Sequence, residues 1–317
     1  MGRMHSSDRI ERRLKLRDLR IFLAVLEHDN LAKAAERLAV SRPVVSKTIS
    51  DLERTLGLRL LDRSPRGVEP TLFGRALHKR GIAIFDDLRL GLKELEFLAD
   101  PRKGELQIGC SEYMAAGLVP AVIDRLSRKY PQMLFQLELG DAASLQQREL
   151  PQRKVEFAIA RMLAPAAEPE MEAEVLFHER VFIAAGPGNK WAGRRKIALA
   201  ELVGEPWMLA PPEMAEGSPV VEAFRAQGLQ VPQATVMALS LPLRNGLLAT
   251  GRFLTVVPGS VLRFGAERTL LKALPIELPD WKLPVAIITL KNRTLSPVAQ
   301  LFIETTRAVA KPLATAA

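Results

Sequence analysis

The chain has few of the side chains that build cross-linked or reactive sites. Its 317 residues include one cysteine, four histidines and 5% aromatic residues. The single Cys110 excludes an internal disulfide and offers no metal-ligand spacing. No stretch approaches the roughly 20 uncharged apolar residues of a membrane span, and the basic start lacks the apolar run of a secretory signal. We therefore expect a cytoplasmic protein without a membrane partner.

Catalytic motifs are missing as well. The chain has no Gly-x-Ser-x-Gly elbow, no phosphate-binding Gly-x-x-x-x-Gly-Lys-Ser/Thr loop and no His-x-x-x-His pair. The histidines are scattered, and Cys110 lies in an apolar strand with no histidine near it in sequence. The sequence therefore predicts neither an enzyme nor a cofactor. Cys110 is interpreted as a packed thiol, with redox sensing as the alternative.

The positive charge is concentrated in the first third of the chain. Residues 1–103 carry 22 Lys/Arg and 15 Asp/Glu, whereas residues 104–317 carry 23 and 21. A basic domain beside a near-neutral one favours a polyanionic partner for the first and not for the second. A solvated basic surface is the alternative that charge alone leaves open.

The basic third contains a pattern of three short helices. Leu31, Ala34, Ala35 and Leu38 give the second helix an inward face whose small alanines permit a close crossing. Ser41 is a good N-cap for the third helix, whose buried stripe is Val45, Ile49, Leu52 and Leu56. Near the N-terminus of this helix, where helix-turn-helix proteins contact DNA, the outward residues are short or cationic: Arg42, Pro43, Ser46, Lys47 and Ser50.

A wing and a long helix are predicted to follow. Leu58–Pro70 reads as two short strands around a Pro/Gly turn, and Arg63 and Arg66 near its tip could reach phosphates or the minor groove. Thr71 caps a helix that runs to about Leu98. Its apolar residues recur in steps of four and three, which favours a dimer interface over a monomeric helix: Leu77, Gly81, Ile84, Leu88, Gly91 and Leu95.

These residues together resemble the LysR-type transcriptional regulators. The resemblance is contiguous over about sixty residues and is carried by Phe22–Val25, Leu31–Leu38, Val40–Lys47, Ile49–Glu53, Leu56–Arg63, Gly67, Pro70-Thr71 and Gly74. It implies double-stranded operator DNA and a small-molecule effector as partners, and dimers that pair into tetramers. Arg42 stands where the family often has Gln, so the operator preference is expected to differ. Thr71-Leu72-Phe73-Gly74 stands where the family usually has Thr-Pro-Ala-Gly, which removes the first-turn proline but should not prevent helix formation.

The remaining residues alternate between strand and helix patterns, which predicts a mostly parallel α/β sheet. We read the fold class as multidomain, with a winged helix-turn-helix head, a linker helix and a two-lobed α/β effector domain that resembles periplasmic binding proteins. The predicted boundaries are 1–71 for the head, 72–99 for the linker and 100–317 for the effector domain. Lobe 1 takes about 104–176 and 278–317, and lobe 2 about 177–277.

The predicted effector contacts are residues at the carboxyl ends of strands and at helix starts, where such sheets bind ligands: Ser111, Glu112, Ser144, Arg161, Ser240 and Pro258. Ser111 is favoured because the family often has a small hydroxyl there. Ser144 and Ser240 are equally explained as helix caps. Arg161 either anchors an anionic effector or pairs with Glu112.

A free solute-binding protein is the rival interpretation, since the last two thirds alone would look like one. The basic helical head and the absent export signal favour the regulator. The two readings differ in one property, because a regulator binds DNA with a steep salt dependence.

Overall fold

The computed structural model describes residues 10–64, 67–162, 169–265, 270–279 and 283–314. The chain divides into two compact units, Met1–Arg89 and Leu90–Ala317, and each is described by itself. Among the described residues, no helix is both long enough and apolar enough to cross a membrane.

The first unit is built on three helices, α1 (Leu16–His28), α2 (Leu31–Arg37) and α3 (Arg42–Leu56). Their facing sides form one buried core, as the periodicity predicts: Leu19, Phe22, Val25, Ala34, Ala35, Val45, Ile49 and Leu52. The predicted helix-turn-helix is therefore confirmed. Ser41 stands at the N-cap position of α3, but its side chain makes no capping hydrogen bond. Asn30 does cap its helix, since its Oδ1 accepts from the Ala32 and Lys33 amides at 2.7 and 3.3 Å.

The wing is an antiparallel pair, β1 (Leu61–Ser64) and β2 (Gly67–Pro70). It leads into the long helix α4 (Leu72–Ala99), and the Thr71 hydroxyl caps this helix by accepting from the Gly74 amide at 3.1 Å. Gly74 is needed where helix and wing meet, because a Cβ there would lie 2.1 Å from the Leu60 carbonyl oxygen. The predicted wing and the predicted Thr71 cap are both present.

The apolar stripe of α4 divides into two parts that the sequence does not distinguish. Leu77 packs against the head core, and a Cβ on Gly81 would lie 3.0 Å from the Leu23 side chain. The start of the predicted interface is thus part of the head. Further along, the exposed residues are Ile84, Leu88, Leu92, Leu95 and Leu98; this set is called the linker stripe below.

The second unit alternates strands and helices. In chain order these are β3 (Lys103–Cys110), α5 (Glu112–Ala116), α6 (Leu118–Lys129), β4 (Gln132–Leu139), α7 (Ala142–Ser144), β5 (Phe157–Arg161), β6 (Met171–Glu179), β7 (Val181–Ala185), β8 (Trp207–Leu209), α8 (Pro219–Ala226), β9 (Ala234–Met237), α9 (Leu241–Ala249), β10 (Leu254–Pro258), α10 (Gly259–Phe264), β11 (Lys272–Ala273), β12 (Leu283–Leu290) and α11 (Pro297–Ala314).

Within the described residues these strands form two five-stranded sheets. Their orders are β4-β3-β5-β12-β6 and β11-β7-β10-β8-β9. In the first sheet β3 is parallel to β4 and β5, whereas β12 runs antiparallel to β5 and β6. One buried cluster includes residues of both sheets. Within the lobes, Phe157 packs against Phe302 in lobe 1 and Trp207 against Phe224 in lobe 2.

The chain crosses between the sheets at Arg180, which separates β6 from β7. The first sheet therefore keeps the chain through Glu179, beyond the boundary expected at about residue 176. The run from Val175 to Ala185 contains no glycine or proline. The sequence therefore gives no signal for where one lobe ends and the next begins. A one-residue connection leaves little freedom between the lobes at this crossing.

Candidate functional site

The outward side of α3 is the first candidate site. Val45, Ile49 and Leu52 are buried in the head, so the residues between them face away from it. The first turn of this helix contains no acidic residue. Four of the predicted contacts are exposed and one is half-buried; in chain order the five are Arg42, Pro43, Ser46, Lys47 and Ser50. The proton of the Ser50 hydroxyl is already used within the helix, because it is donated to the Ser46 carbonyl at 3.0 Å.

A groove of about 600 Å³ runs beside this face of α3. Arg42 and Ser46 line it together with His28, Asp29, Asn30, Leu31, Lys33, Ser64, Gly67 and Val68. The wing is joined to the helical part of the groove because the Val68 amide donates to the Asp29 carbonyl at 3.3 Å. Sequence reasoning missed Lys33, an exposed cation near the N-terminus of α2. Arg66 and the side chain of Arg63 lie outside the described residues.

The second candidate site is the cleft between the two lobes. The Ser111 hydroxyl is buried there and has no hydrogen-bond partner among the described residues, while its amide donates to the Ile159 carbonyl at 3.2 Å. Arg161 ends the neighbouring strand, and its guanidinium lies 4.3 Å from the centre of the Tyr113 ring. A buried unpaired hydroxyl and a cation therefore lie at the ends of the neighbouring strands β3 and β5.

Glu112 and Ser240 meet across the cleft. The Glu112 Oε1 accepts from the Leu241 amide at 2.9 Å, so a lobe 1 carboxylate sits at the N-terminus of α9 in lobe 2. Ser240 caps the same helix by accepting from the Leu243 amide at 3.5 Å. The expected alternative of an Arg161–Glu112 pair is not what the structure has. Glu112 instead occupies the helix N-terminus that an anionic ligand would use.

Two other predicted contacts have local structural roles. Ser144 does not begin a helix, since it is the last residue of α7 and Asp141 is the cap. Its hydroxyl donates to the Asp141 carbonyl at 3.0 Å. Pro258 ends β10 and precedes α10, and it is buried. The chain beyond Pro258 does reach lobe 1, because a Cβ on Gly117 would lie 3.1 Å from Ser260 backbone atoms.

A buried polar cluster joins the lobes beside these residues. Arg244, 1% exposed, donates from Nη2 to Glu213 Oε2 at 3.1 Å and from Nη1 to the Tyr113 hydroxyl at 2.5 Å. Tyr113 donates in turn to Glu213 Oε1 at 2.7 Å. Thr255 accepts from the Arg244 Nε at 3.1 Å. Burial, reinforced by Glu213, raises the pKa of Tyr113, so its hydroxyl remains a donor at physiological pH.

Sequence reasoning missed this cluster. Tyr113 and Arg244 are far apart in the chain, and no spacing rule connects them. One indication was available, because Leu241, Arg244 and Leu248 share the inward stripe of α9 at helical spacing. An arginine on a buried stripe requires a buried partner, which the sequence alone does not name.

Cys110 is inaccessible, and burial raises the pKa of its thiol to about 12. Since the thiolate is the reactive form, we expect the native thiol to react slowly at pH 8. We expect iodoacetamide to label Cys110 at least ~100-fold more slowly in the native protein than in guanidinium chloride, measured by intact-mass spectrometry. Equal rates would restore the redox-sensor alternative.

Two family models match the chain. The model described as bacterial regulatory helix-turn-helix protein, lysR family, matches residues 16–75, which contain the helices and wing of the head. The model described as LysR substrate binding domain matches residues 99–311, which contain both sheets. The second match alone spans more than half of the chain.

Curated proteins and solved structures agree with these matches. The chain is 32% identical over 294 residues to the SDS degradation transcriptional activation protein of a Pseudomonas species, covering 90% of this chain and 93% of that one. It is 29% identical over 300 residues to the HTH-type transcriptional regulator GbpR of Azospirillum brasilense, covering 94% and 87%. A point variant of full-length OxyR from Pseudomonas aeruginosa shares the fold, with a TM-score of 0.63, 21% identity and coverage of 94% and 97%. The chain therefore belongs to the LysR family: like its relatives it is a DNA-binding transcription regulator with an effector-binding domain, and not an enzyme.

Proposed function

We propose that the outward side of α3 reads the operator and that the wing supports it. Arg42, at the first position of α3, takes the direct base contact, and Lys47 neutralises phosphate. Pro43, Ser46 and Ser50 have short side chains, which let α3 approach the bases in the DNA major groove closely. Arg63 and Arg66 of the wing reach the adjacent backbone or minor groove. Lys33 joins this set because it lines the same groove as Arg42.

The linker stripe is the proposed dimer interface. Its leucines are 45% to 69% exposed on one face of a 28-residue helix, an arrangement that a second copy of the helix would cover. The dimer then presents two α3 helices to DNA, and half-sites about 34 Å apart fit such an arrangement. A second contact pairs dimers into a tetramer through β4, an edge strand on which Leu134, Leu137 and Leu139 are exposed.

The effector site is proposed in the cleft, with Ser111 and Arg161 as its polar contacts. The unpaired Ser111 hydroxyl is the observation that favours it, since buried polar groups are normally hydrogen-bonded. Glu112 and Ser240 act at the rim, where they join the lobes, and Ser144 and Pro258 shape its ends. An anionic effector suits Arg161, because its guanidinium lies against the Tyr113 ring and supplies a positive charge at the end of β5.

The division of labour follows the predicted domains: 1–71 binds DNA, 72–99 dimerises and 100–317 senses, in the cytoplasm where the chromosome lies. An effector shifts the head arrangement only to the extent that it binds two lobe arrangements unequally. The cationic, acid-free first turn of α3 is the observation that carries the proposal.

Arg42→Ala tests the base-reading role. We expect specific operator affinity to fall by about 1–3 kcal/mol with little change on random duplex, measured by fluorescence anisotropy against the upstream intergenic DNA at two salt concentrations. Arg54→Ala is the matched control, because it removes the same charge from the far end of α3, where Arg54 pairs with Asp51 at 2.5 Å.

An equal loss on random DNA would make Arg42 a phosphate contact instead. If wild-type protein bound no duplex even at low salt, the assignment of α3 as the operator-reading helix would fail.

A further inference from the structure

A second cavity of about 390 Å³ lies where the chain crosses between the lobes. Its walls come from the end of β6, the start of β7, helix α10 and the C-terminal end of α11. We call it the crossover pocket and define it by Phe177–Arg180, Phe182, Gly259, Leu262, Arg263 and Leu313. None of these residues is among the effector contacts proposed above.

The pocket has an apolar floor and a cationic mouth. Phe177 is buried, and Phe182, Leu262 and Leu313 are half-buried in its wall. The exposed lining residues are all basic: His178, Arg180 and Arg263. An apolar cavity with a cation such as Arg180 at its mouth has the composition of a small-molecule site.

The one acidic residue of the lining is already engaged. Glu179 is 2% exposed, and its carboxylate accepts from the Ser260 amide at 3.0 Å and from the Ser260 hydroxyl at 2.5 Å. Burial raises the pKa of Glu179, and the hydrogen bonds from Ser260 and the charge of Arg161 oppose this shift. Both oxygens of this carboxylate therefore already accept hydrogen bonds from Ser260.

Arg180 and Gly259 keep the entrance cationic and open. The Arg180 guanidinium lies 5.8 Å from the Phe182 ring centre and forms no ion pair with a described residue. A Cβ on Gly259 would stand 3.2 Å from the Phe182 ring, so glycine leaves room where a side chain would fill the space between β7 and α10.

From these features we infer that the crossover pocket binds an amphipathic monoanion, with its aliphatic or aryl tail on the Phe177–Leu313 floor and its carboxylate or sulfate at Arg180. The pocket borders both lobes, since β6 and α11 belong to lobe 1 and α10 follows the lobe 2 strand β10. Its occupant would therefore contact both lobes at the crossing. This site does not depend on the cleft assignment.

Calorimetric titration of the full chain with three probes of equal length tests the inference: octanoate, 1-octanol and octylamine. We expect octanoate to bind at least ~10-fold more tightly than the other two, because only it complements the cationic mouth. Similar binding of octanoate and octanol would show a merely hydrophobic cavity, and no binding of octanoate would overturn the proposal.

Two variants separate the head and the tail of the ligand. Arg180→Gln should weaken octanoate binding at least ~5-fold and leave octanol unchanged, whereas Leu313→Ala should weaken both. Arg252→Gln is the matched control, because Arg252 also stacks on a neighbouring ring, 5.5 Å from the centre of Phe253, but does not line the pocket. Unfolding midpoints equal to wild type establish that the variants are folded. Octanoate binding that survives both pocket variants would place the ligand elsewhere and overturn the assignment.

Discussion

Replacing Arg244 by alanine is expected to lower the free energy of unfolding of the effector domain by about 3–5 kcal/mol. The change removes a guanidinium that is 1% exposed and leaves Glu213, 6% exposed, as a buried carboxylate. Tyr113 and the Ala210 amide, which donates at 2.8 Å, would be the remaining partners of that charge. An unpaired buried charge costs far more than the loss of an average contact, so this substitution should cost as much as a large core truncation.

The measurement is guanidinium unfolding followed by tryptophan fluorescence. All three tryptophans, Trp191, Trp207 and Trp281, lie in residues 104–317, so the signal reports the effector domain and not the DNA-binding head. This selectivity matters because a multidomain chain does not unfold in one two-state step. Separate transitions of head and sensor would otherwise be averaged.

Two controls show whether buried charge is the cause. The double variant Arg244→Met/Glu213→Gln removes both charges and keeps an acceptor for Tyr113, so we expect it to recover most of the loss. Arg307→Ala breaks the exposed pair with Glu174, whose atoms lie 2.7 Å apart, and should cost less than about 1 kcal/mol. A single Arg244 variant that lost no more than Arg307→Ala would contradict the argument, as would a double variant no better than the single.

The contrast between the head and the cleft shows where sequence reasoning succeeds. The head could be predicted because its structure rests on local rules: helical periodicity, small alanines at a crossing, and a turn-rich wing. Val45, Ile49 and Leu52 are three points on one helix, and their burial fixes which side of α3 is left for DNA. Arg42 and Lys47 follow from that geometry without knowledge of any distant residue.

The cleft could not be predicted in the same way. Tyr113, Glu213 and Arg244 come from three separate elements, and their meeting depends on the relative placement of the two lobes. Glu112 was correctly placed at a strand end, but its partner, the Leu241 amide, is a backbone group that no side-chain pattern indicates. Ser144 was misplaced by three residues because Asp141, not Ser144, caps the helix.

The α4 helix is an intermediate case. Its apolar residues do recur in steps of four and three, but a helix that packs on the head core and a helix in a dimer interface both have this spacing. Leu77 packs against the core of the head, whereas Leu88 and Leu95 are 45% and 64% exposed. Periodicity states only that a face is apolar, and the neighbouring tertiary structure decides where the head core ends and the linker stripe begins.

Leu88→Glu combined with Leu95→Glu is therefore expected to dissociate the dimer. Each α4 helix would then carry two glutamates that face those of the partner helix. Desolvation of these charges and the repulsion between them both oppose association. Loss of the dimer also separates the two DNA-binding heads. Operator affinity should then fall by about 10²–10⁴-fold, because the second half-site is no longer bound at high effective concentration.

Mass photometry and anisotropy on a two-half-site operator measure the two consequences separately. Leu72→Glu is the control for assembly: Leu72 is 71% exposed on the same helix but, at about 100° per residue, on the side away from the linker stripe. It adds the same charge and should leave the mass unchanged. If mass photometry showed the Leu88/Leu95 variant as the same assembly as wild type, another surface would hold the dimer. If it became monomeric yet bound the operator with unchanged affinity, the two heads would act independently, and the linker helix would serve assembly alone.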